Sequence, residues 1–246
     1  MTTAVIVQAR MGSSRLPGKV MEEIQGRPVL AHVLDRCGAI EGCDKVVCAV
    51  PDADENMVLH TVARGCGAEV FCGPERDVLG RYLGAARMAG ADVIMRVTSD
   101  CPLIDPDTCS AVLALRESEG ADYAANNMPR SFPHGLDCEA FTVVALAEAD
   151  ASTQDPYDRE HVTPWLRRAA HLRRANVSSG NPSLERHRWT LDYPEDLAFF
   201  RAVFAALPSG SGRAMAEVLK VMAAHPEIAA INAMHRQSAG AGRVSS

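Results

Sequence analysis

The chain has 246 residues, of which 47% are hydrophobic and 23% charged, and its formal net charge is −6. This composition is typical of a globular protein and excludes a disordered or fibrous chain, and the length allows one large domain or two small ones. The acidic balance argues against nucleic-acid binding, which needs a concentrated basic surface. The sequence contains no long apolar run and no secretory signal at its start, so we predict no membrane association and a cytoplasmic location.

The cysteine pattern predicts no metal or redox motif. All eight cysteines lie between Cys37 and Cys138, and no two of them are spaced as C-x-x-C. This spacing excludes zinc ribbons and thioredoxin-like motifs. Several of them alternate with small apolar residues, so we interpret them as reduced and partly buried thiols.

The first two-thirds of the chain alternate short apolar runs with amphipathic stretches. The runs predict strands over 4–9, 45–50, 68–72 and 92–97, and the stretches between them predict helices over 28–38, 54–64, 77–89 and 106–118. Near-continuous apolar strands separated by helices indicate a parallel sheet covered on both faces. Asp54 and Asp77 are predicted to be helix N-caps, and Pro28 is predicted in a first helical turn.

After residue 122 the pattern changes. We predict strands over 121–126, 138–143, 172–177 and 186–191, and helices over 144–149, 157–170, 194–206 and 212–224. A loop rich in Pro, Gly and His, 128–137, separates the first two of these strands. The result is one α/β domain over 1–235 with a mixed edge to its sheet, followed by a disordered tail, 236–246.

The loop after the first strand has the chemistry of a triphosphate site. The segment QARMGSSRLPGK, 8–19, combines glycines, two serine hydroxyls and the cations Arg10, Arg15 and Lys19. Backbone amides and hydroxyls bind phosphate oxygens, and Arg and Lys neutralise their charge. The segment is neither a Walker A loop nor a G-x-G-x-x-G motif. The alternative is a solvated loop whose charges are incidental.

Two carboxylates follow predicted strands at the edge of the sheet where ligands bind. Asp100 comes directly after the fourth strand, where it is placed to hold Mg²⁺, a cation bound by one or two carboxylates and substrate phosphates. Asp192 follows the predicted strand 186–191 and is a helix N-cap, a metal ligand or both. Asp105 is better interpreted as a cap, and Asp196 as a first-turn carboxylate that favours the helix dipole.

At this point the chain resembles a known family. The blocks VIVQARMGSSRLPGKV, VTSDCPLIDP, HGLDCEAF, REHVTP and WTLDYPEDL occur in the order found in cytidylyltransferase-like proteins, which include the SpsF-like branch and the acylneuraminate and 3-deoxy-manno-octulosonate cytidylyltransferases. The resemblance covers about residues 3–206. It implies an α/β, GT-A-like (Rossmann-like) nucleotidyltransferase fold with a mixed, mostly parallel central sheet.

The resemblance also implies a reaction and a homodimer. A nucleotidyl group, usually CMP from CTP, is transferred to an acidic sugar or a similar small anionic acceptor, with a phosphonate as one possibility, and pyrophosphate is released. Magnesium is the implied cofactor. The region 126–190 is expected to serve the acceptor and the dimer contact.

The family pattern assigns roles to single residues of this chain. The catalytic set is Arg10, Arg15, Lys19 and Asp100, and the Mg²⁺ ligands are Asp100 and Asp192. The nucleotide-binding set is Gln8, Ala9, Arg10, Gly12, Ser13, Arg15, Lys19, Arg96, Thr98 and Ser99. The acceptor-binding set is His134, Gly135, Asp137, Glu139, Arg159, Glu160 and His161. The pairs Arg167-Arg168 and Arg173-Arg174 are most simply a solvated face, and the alternative is that they attract an anionic acceptor.

Two other functions stay open at this stage. A glycosyltransferase on the same scaffold usually carries a D-x-D metal motif, and the D-x-D at Asp52-Ala53-Asp54 is better interpreted as a turn and cap. A nucleotide-binding protein without turnover is the second alternative. The intact set of Arg15, Lys19, Asp100 and Asp192 argues against it.

Overall fold

The computed structural model describes residues 1–235, so the predicted disordered tail lies outside the described residues. The strands are β1 (Thr3–Gln8), β2 (Glu23–Ile24), β3 (Arg27–Pro28), β4 (Lys45–Pro51), β5 (Glu69–Gly73), β6 (Val93–Thr98), β7 (Tyr123–Ala125), β8 (Glu139–Thr142) and β9 (Arg174–Asn176). The helices are α1 (Val29–Gly38), α2 (Met57–Gly65), α3 (Val78–Ala89), α4 (Pro106–Ser118), α5 (Val143–Ser152), α6 (Pro156–His161), α7 (Pro164–Arg168), α8 (Pro194–Ala206), α9 (Met215–Ala224) and α10 (Pro226–Ala230).

Seven strands form one sheet in the order β5-β4-β1-β6-β8-β7-β9. The first four run parallel, whereas β8 runs antiparallel to both β6 and β7. This is the predicted mostly parallel sheet with a mixed edge. Because β1 and β6 are parallel neighbours, Gln8 pairs with Thr98 at their carboxyl ends. The loops that follow these two strands therefore begin side by side.

Side chains of the central strands alternate between two cores. Val5 and Val7 of β1 face a core shared with α1, α2 and α4, and Ala4 and Ile6 face a core shared with α3 and α5. This two-residue period buries both faces of the sheet, as the apolar runs predict. A third core forms around Trp189 and the apolar faces of α8 and α9. It holds the late part of the chain against the carboxyl edge of the sheet.

The prediction of a strand over 186–191 is wrong. The segment lies between two loops, so that the Trp189 amide donates to the His134 carbonyl and the Leu191 amide to the Asp100 carbonyl. The His134 amide also donates to the His187 carbonyl, and these bonds form an isolated bridge between His134 and Arg188 but no strand ladder. The segment nevertheless carries Asp192 to the same edge of the sheet as Asp100.

The prediction of one helix over 157–170 is also wrong, because the chain breaks between α6 and α7. Val162 has a φ of 70°, and Pro164 starts α7. Proline has no backbone N–H, so a helix continuing from α6 would lose the hydrogen bond from residue 164 to the carbonyl of residue 160. The break turns the Thr163 hydroxyl toward the interior, where it donates to Glu139.

Capping follows the sequence in part. Asp77 caps α3 and Asp105 caps α4, each by accepting a backbone N–H three residues on. Asp54 is not an N-cap: it starts a short 3-10 turn, Asp54–Asn56, and neither this turn nor α2 has a side-chain cap. Pro28 does not lie in the first turn of α1 but directly precedes it.

All eight cysteines are free thiols, five of them buried, with Cys72 exposed. Within residues 1–235 no helix is long and apolar enough to cross a membrane.

Candidate active site

A cleft of about 370 Å³ lies at the carboxyl ends of β1 and β6. Its walls are the loop after β1, the first residues after β6, the start of α3 and the end of α6. The cleft brings together every residue predicted for the nucleotide, both candidate metal ligands and two residues of the acceptor set. These are Gln8, Ala9, Arg10, Gly12, Ser13, Arg15, Lys19, Arg96, Thr98, Ser99, Asp100, Asp192, Glu160 and His161.

Lys19 lies between the two carboxylates at the cleft floor. Its Nζ is 3.0 Å from Asp100 Oδ2, 3.0 Å from Asp192 Oδ1 and 2.7 Å from the Leu191 carbonyl oxygen, to all of which it donates. Gly18, with a φ of 69°, turns the chain directly before a short 3-10 helix, of which Lys19 is the first residue. Burial opposes the charge of Lys19, but the two carboxylates raise its pKa above the usual value.

Asp100 is ionised at neutral pH in this setting. The Thr98 hydroxyl donates to Asp100 Oδ1 at 2.6 Å. Burial alone would raise the pKa of Asp100, but the Lys19 ammonium and the Thr98 hydrogen bond lower it to about 2. Hydrogen bonds and an opposite charge both favour the carboxylate form. Asp100 therefore carries its negative charge throughout the neutral range.

Asp192 is held from both sides by arginines. Arg15 Nη2 lies 2.7 Å from Asp192 Oδ1, and Arg188 Nη2 donates to Asp192 Oδ2 at 3.1 Å. The Arg15 guanidinium also lies over the Tyr193 ring, 5.0 Å from its centroid. Asp192 is not the N-cap of α8, a position occupied by Tyr193. The N-cap role is therefore excluded, and the Asp192 side chain lines the cleft.

The two carboxylates fit a divalent cation that is completed by substrate oxygens. A single cation, the Lys19 ammonium, already contacts one oxygen of each. Mg²⁺ is held in proteins by one or two carboxylates together with waters and phosphates. No group of three or more metal-ligating side chains occurs among the described residues, so a protein-only cage is not what this site provides.

Arg81 of α3 is a cleft residue that the sequence did not reveal. Its guanidinium is buried, and Nη1 donates to the Pro74 carbonyl at 2.5 Å. Its Nε has no hydrogen-bond partner in the described part of the chain, and burial lowers its pKa. The available signal was its register, since Arg81 falls three residues after Val78 and four before Ala85 on the buried face of α3.

Glu139 lies behind the cleft as the centre of a buried ionic cluster. It is 2% exposed and accepts hydrogen bonds from Arg96 Nη1 at 2.7 Å, Thr163 at 2.8 Å and Tyr123 at 2.5 Å. Arg167 donates to the same carboxylate through Nε at 3.1 Å and through Nη2. The interpretation of Arg167 as part of a solvated face is therefore wrong. Arg96 reaches from this cluster into the cleft, where Nη2 donates to Gln8 Oε1 at 3.2 Å.

The loop 128–137 forms a second polar group beside Asp100. Asp137 accepts from Arg130 Nη1 at 2.8 Å, and its Oδ2 lies 3.9 Å from His134 Nε2. His134 Nδ1 is buried and has no hydrogen-bond partner among residues 1–235. Burial lowers the pKa of His134, which leaves its imidazole neutral at neutral pH.

Gly135 is required by a close backbone approach. Its φ is 111°, and a Cβ there would lie 2.0 Å from the Trp189 carbonyl oxygen. We expect Gly135→Ala to lower the free energy of unfolding by about 3 kcal/mol, since it adds both backbone strain and an overlap. Urea unfolding measures the change. Gly180→Ala is the matched control, because Gly180 has a φ of 71° and nothing within 4 Å. Equal losses in the two variants would contradict the overlap.

Arg159 is a predicted acceptor residue that does not line the cleft, and the same holds for His134, Gly135, Asp137 and Glu139. It donates to Asp77 through Nε at 2.8 Å, and its Nη1 is 2.8 Å from Asp150. It thus joins the ends of α3, α5 and α6. Its neighbours Glu160 and His161 do line the cleft, whereas Asp52 and Asp54 of the D-x-D segment do not.

Comparisons with known proteins identify the family of the chain. A model of the family described as cytidylyltransferase matches residues 4–197. The chain is 26% identical to the spore coat polysaccharide biosynthesis protein SpsF of Bacillus subtilis, over 91% of this chain and 95% of that protein. It is 27% identical to a 3-deoxy-manno-octulosonate cytidylyltransferase of Anaeromyxobacter sp. (strain K), over 82% of this chain and 98% of that protein.

A solved structure is similar over nearly the whole chain. It is a cytidylyltransferase from Leptospira borgpetersenii, with a TM-score of 0.87 and 28% identity over 93% of this chain and 96% of that one. The family match spans all the strands and the cleft residues described above. The chain belongs to the cytidylyltransferase family.

Proposed function

We propose that this enzyme transfers CMP from CTP to an acidic sugar or a similar small anionic acceptor, such as a phosphonate, and releases pyrophosphate in a Mg²⁺-dependent reaction. The observation that carries the proposal is the Lys19 ammonium held between Asp100 and Asp192 on the floor of a cleft walled by the loop of Arg10 and Arg15. The relatives named for 3-deoxy-manno-octulosonate and for polysaccharide biosynthesis support a sugar acid as acceptor.

The residues of the chain position and neutralise the nucleotide. Arg10, Arg15 and Lys19 are the cations of the first loop, and they offset charge that builds on the pyrophosphate. In-line attack on the α-phosphorus needs little covalent help from the protein, so positioning and electrostatics supply most of the acceleration. Asp100 and Asp192 would hold Mg²⁺, which supplies Lewis-acid polarisation of phosphoryl oxygens when bound.

An anionic acceptor suits the groups beside Asp100. His134 offers a buried Nδ1 without a partner among the described residues. The positive charge of Arg188 lies near enough to contribute to the lowered pKa of His134. Arg130 adds a third polar donor on the same loop, where it already holds Asp137. A carboxylate or phosphonate on the acceptor would accept hydrogen bonds from such donors.

Pyrophosphate release tests the proposal. The enzyme is incubated with Mg²⁺, one of CTP, GTP, UTP or ATP, and a panel of sugar acids and phosphonates. We expect release with CTP and with one class of anionic acceptor. Release that is as fast without any acceptor, or with neutral sugars, would contradict the acceptor class, and absence of nucleotide binding would contradict the whole proposal.

The position of the Lys19 ammonium leads to a prediction about metal binding. In the structure its ammonium contacts the carboxylate oxygens that a metal would use, so we expect Mn²⁺ to bind weakly without CTP. Lys19→Met removes this competing cation. We expect it to strengthen Mn²⁺ binding to the nucleotide-free protein by about tenfold, or about 1.4 kcal/mol, and to abolish turnover.

Calorimetric titration with Mn²⁺ measures this effect. Lys45→Met is the matched control, since Lys45 forms an ion pair with Glu69 at the opposite end of the sheet, where both side chains are half-exposed. If Lys19→Met bound Mn²⁺ no better than the control, the ammonium would not be occupying the metal position.

We further propose a homodimer formed through the region 126–190. Two large apolar side chains of this region are exposed, Val144 at 79% and Tyr157 at 42%. Light scattering of the purified protein is expected to return twice the chain mass of 26.4 kDa. A monomer at all concentrations would contradict this part of the proposal.

A further inference from the structure

A buried polar chain connects the last described segment to the cleft. Asn232, which follows α10 and is 2% exposed, donates through Nδ2 to Asp196 Oδ1 at 2.9 Å and to the Arg188 carbonyl at 3.1 Å. Asp196 has no exposed surface and accepts two further hydrogen bonds from Arg188, from Nε at 3.0 Å and from Nη2 at 2.9 Å. Arg188 Nη2 then donates to Asp192 Oδ2. Three hydrogen-bonded steps therefore lead from Asn232 to Asp192.

The same carboxylate fixes the backbone at Asp192. Asp196 Oδ2 accepts from the amide of Asp192 at 2.9 Å and from the amide of Tyr193 at 3.0 Å. The backbone of Asp192 and one oxygen of its side chain are thus both held from behind. Its other oxygen, Oδ1, is the one that faces Lys19 and Arg15 in the cleft.

The division of Arg188 between two carboxylates explains this orientation. A free guanidinium binds one carboxylate through two parallel N–H groups and would engage both oxygens of Asp192. Here Asp196 takes Nε and shares Nη2, so Asp192 receives a single hydrogen bond on Oδ2. Asn232 donates a further hydrogen bond to Asp196 from a neutral amide. It therefore adds no charge that would compete with Asp196 for Arg188. The arrangement leaves Asp192 Oδ1 facing the cleft, where the cationic groups of Lys19 and Arg15 contact it.

We propose that Asn232, Asp196 and Arg188 are positioning residues that hold Asp192 ready for the metal and the triphosphate. The inference rests on the proposed function, because it presumes that Asp192 binds Mg²⁺ there. Asn232 lies beyond residues 4–197, the part matched by the family. A segment outside the residues matched by the family model therefore positions a residue of the cleft. Outer groups of this kind commonly change metal affinity by about 10- to 100-fold when altered.

The test compares Asn232→Ala and Arg188→Lys with the wild-type protein. Mn²⁺ is titrated calorimetrically into each protein saturated with CTP, and CTP is titrated separately without metal. We expect Mn²⁺ affinity to fall about tenfold in Asn232→Ala and more in Arg188→Lys, by the usual range for outer-shell changes. CTP affinity without metal should change less than about twofold in Asn232→Ala, since the residue does not line the cleft.

Thr108→Val is the matched control for loss of a buried hydrogen bond. The Thr108 hydroxyl donates to the buried carboxylate of Asp105 at 2.7 Å, as Asn232 does to Asp196, but neither Thr108 nor Asp105 lines the cleft. We expect the control to lower Tm as much as Asn232→Ala and to leave Mn²⁺ affinity unchanged.

Two results would overturn the inference in distinguishable ways. If Asn232→Ala binds Mn²⁺ as tightly as the wild-type protein, the chain of hydrogen bonds is only structural. If Asn232→Ala does not fold, the same result in Arg188→Lys leads to the same conclusion. A wild-type protein that binds neither CTP nor Mn²⁺ with CTP would overturn the proposed function itself.

Discussion

Replacing Asp100 by Asn is expected to lower kcat about a thousandfold, because a lost metal carboxylate removes several kcal/mol of transition-state stabilisation and each 1.36 kcal/mol is a factor of ten. Asn keeps the size of the side chain and can still accept from the Thr98 hydroxyl, which lies 2.6 Å away. It cannot supply the negative charge that balances Lys19. Steady-state kinetics with saturating CTP and acceptor measures the loss.

Asp105→Asn is the control for this variant. Asp105 lies five residues further on and is buried, but its carboxylate caps α4 and accepts the Met215 amide instead of facing the cleft. We expect the control to lower stability and to keep kcat within about a factor of three per active molecule, since capping losses cost about 1 kcal/mol of folding and not of catalysis. Near-wild-type kcat in Asp100→Asn would contradict the assignment of Asp100.

Replacing Glu139 by Gln is expected to lower the free energy of unfolding by about 3–5 kcal/mol, the usual result of breaking a buried ion pair by removing one partner. The substitution leaves Arg96 and Arg167 facing each other without the carboxylate that holds both. Urea unfolding at neutral pH measures the change. Glu148→Gln is the control, since the Glu148 side chain is exposed and forms an ion pair with the exposed His171.

The pH dependence of stability gives an independent measure of the same cluster. Burial would raise the pKa of Glu139, but Arg96 and Arg167 lower it from 4.5 to about 2 in the folded protein. A depressed folded pKa stabilises the protein above the unfolded value, and this contribution is lost as pH falls from about 4.5 through about 2. The wild-type protein should therefore lose more stability over this range than Glu139→Gln. Parallel pH profiles would contradict the account.

The sequence was sufficient to locate the cleft, because its signals are local. An apolar run followed at once by glycines, hydroxyls and cations places the first loop at the end of a buried strand. Asp100 likewise directly follows the predicted strand 92–97. Parallel neighbouring strands then bring both ends to one edge of the sheet. This geometry needs only the order of the elements, which the alternation of apolar and amphipathic segments predicts.

The supporting groups could not be predicted by the same reasoning. Asp196 has the position of an ordinary first-turn carboxylate, and only its contacts with Arg188 and Asn232 show it to be fully buried. These partners are 8 and 36 residues away in the chain. Arg167 likewise sits in an arginine pair that resembles a solvated face until the break at Pro164 turns α7 toward Glu139. Charge patterns reveal that such residues exist but not which of them become buried.

The most direct test follows the α- and the γ-phosphorus of CTP through the reaction. CTP labelled at either the α- or the γ-phosphate is incubated with Mg²⁺ and 3-deoxy-manno-octulosonate or another acidic acceptor that supports turnover. We expect the α label to appear in the acceptor product and the γ label in pyrophosphate, and we expect both transfers to be lost in Asp100→Asn. An α label that stays with a released nucleotide while the γ label reaches the acceptor would contradict cytidylyl transfer.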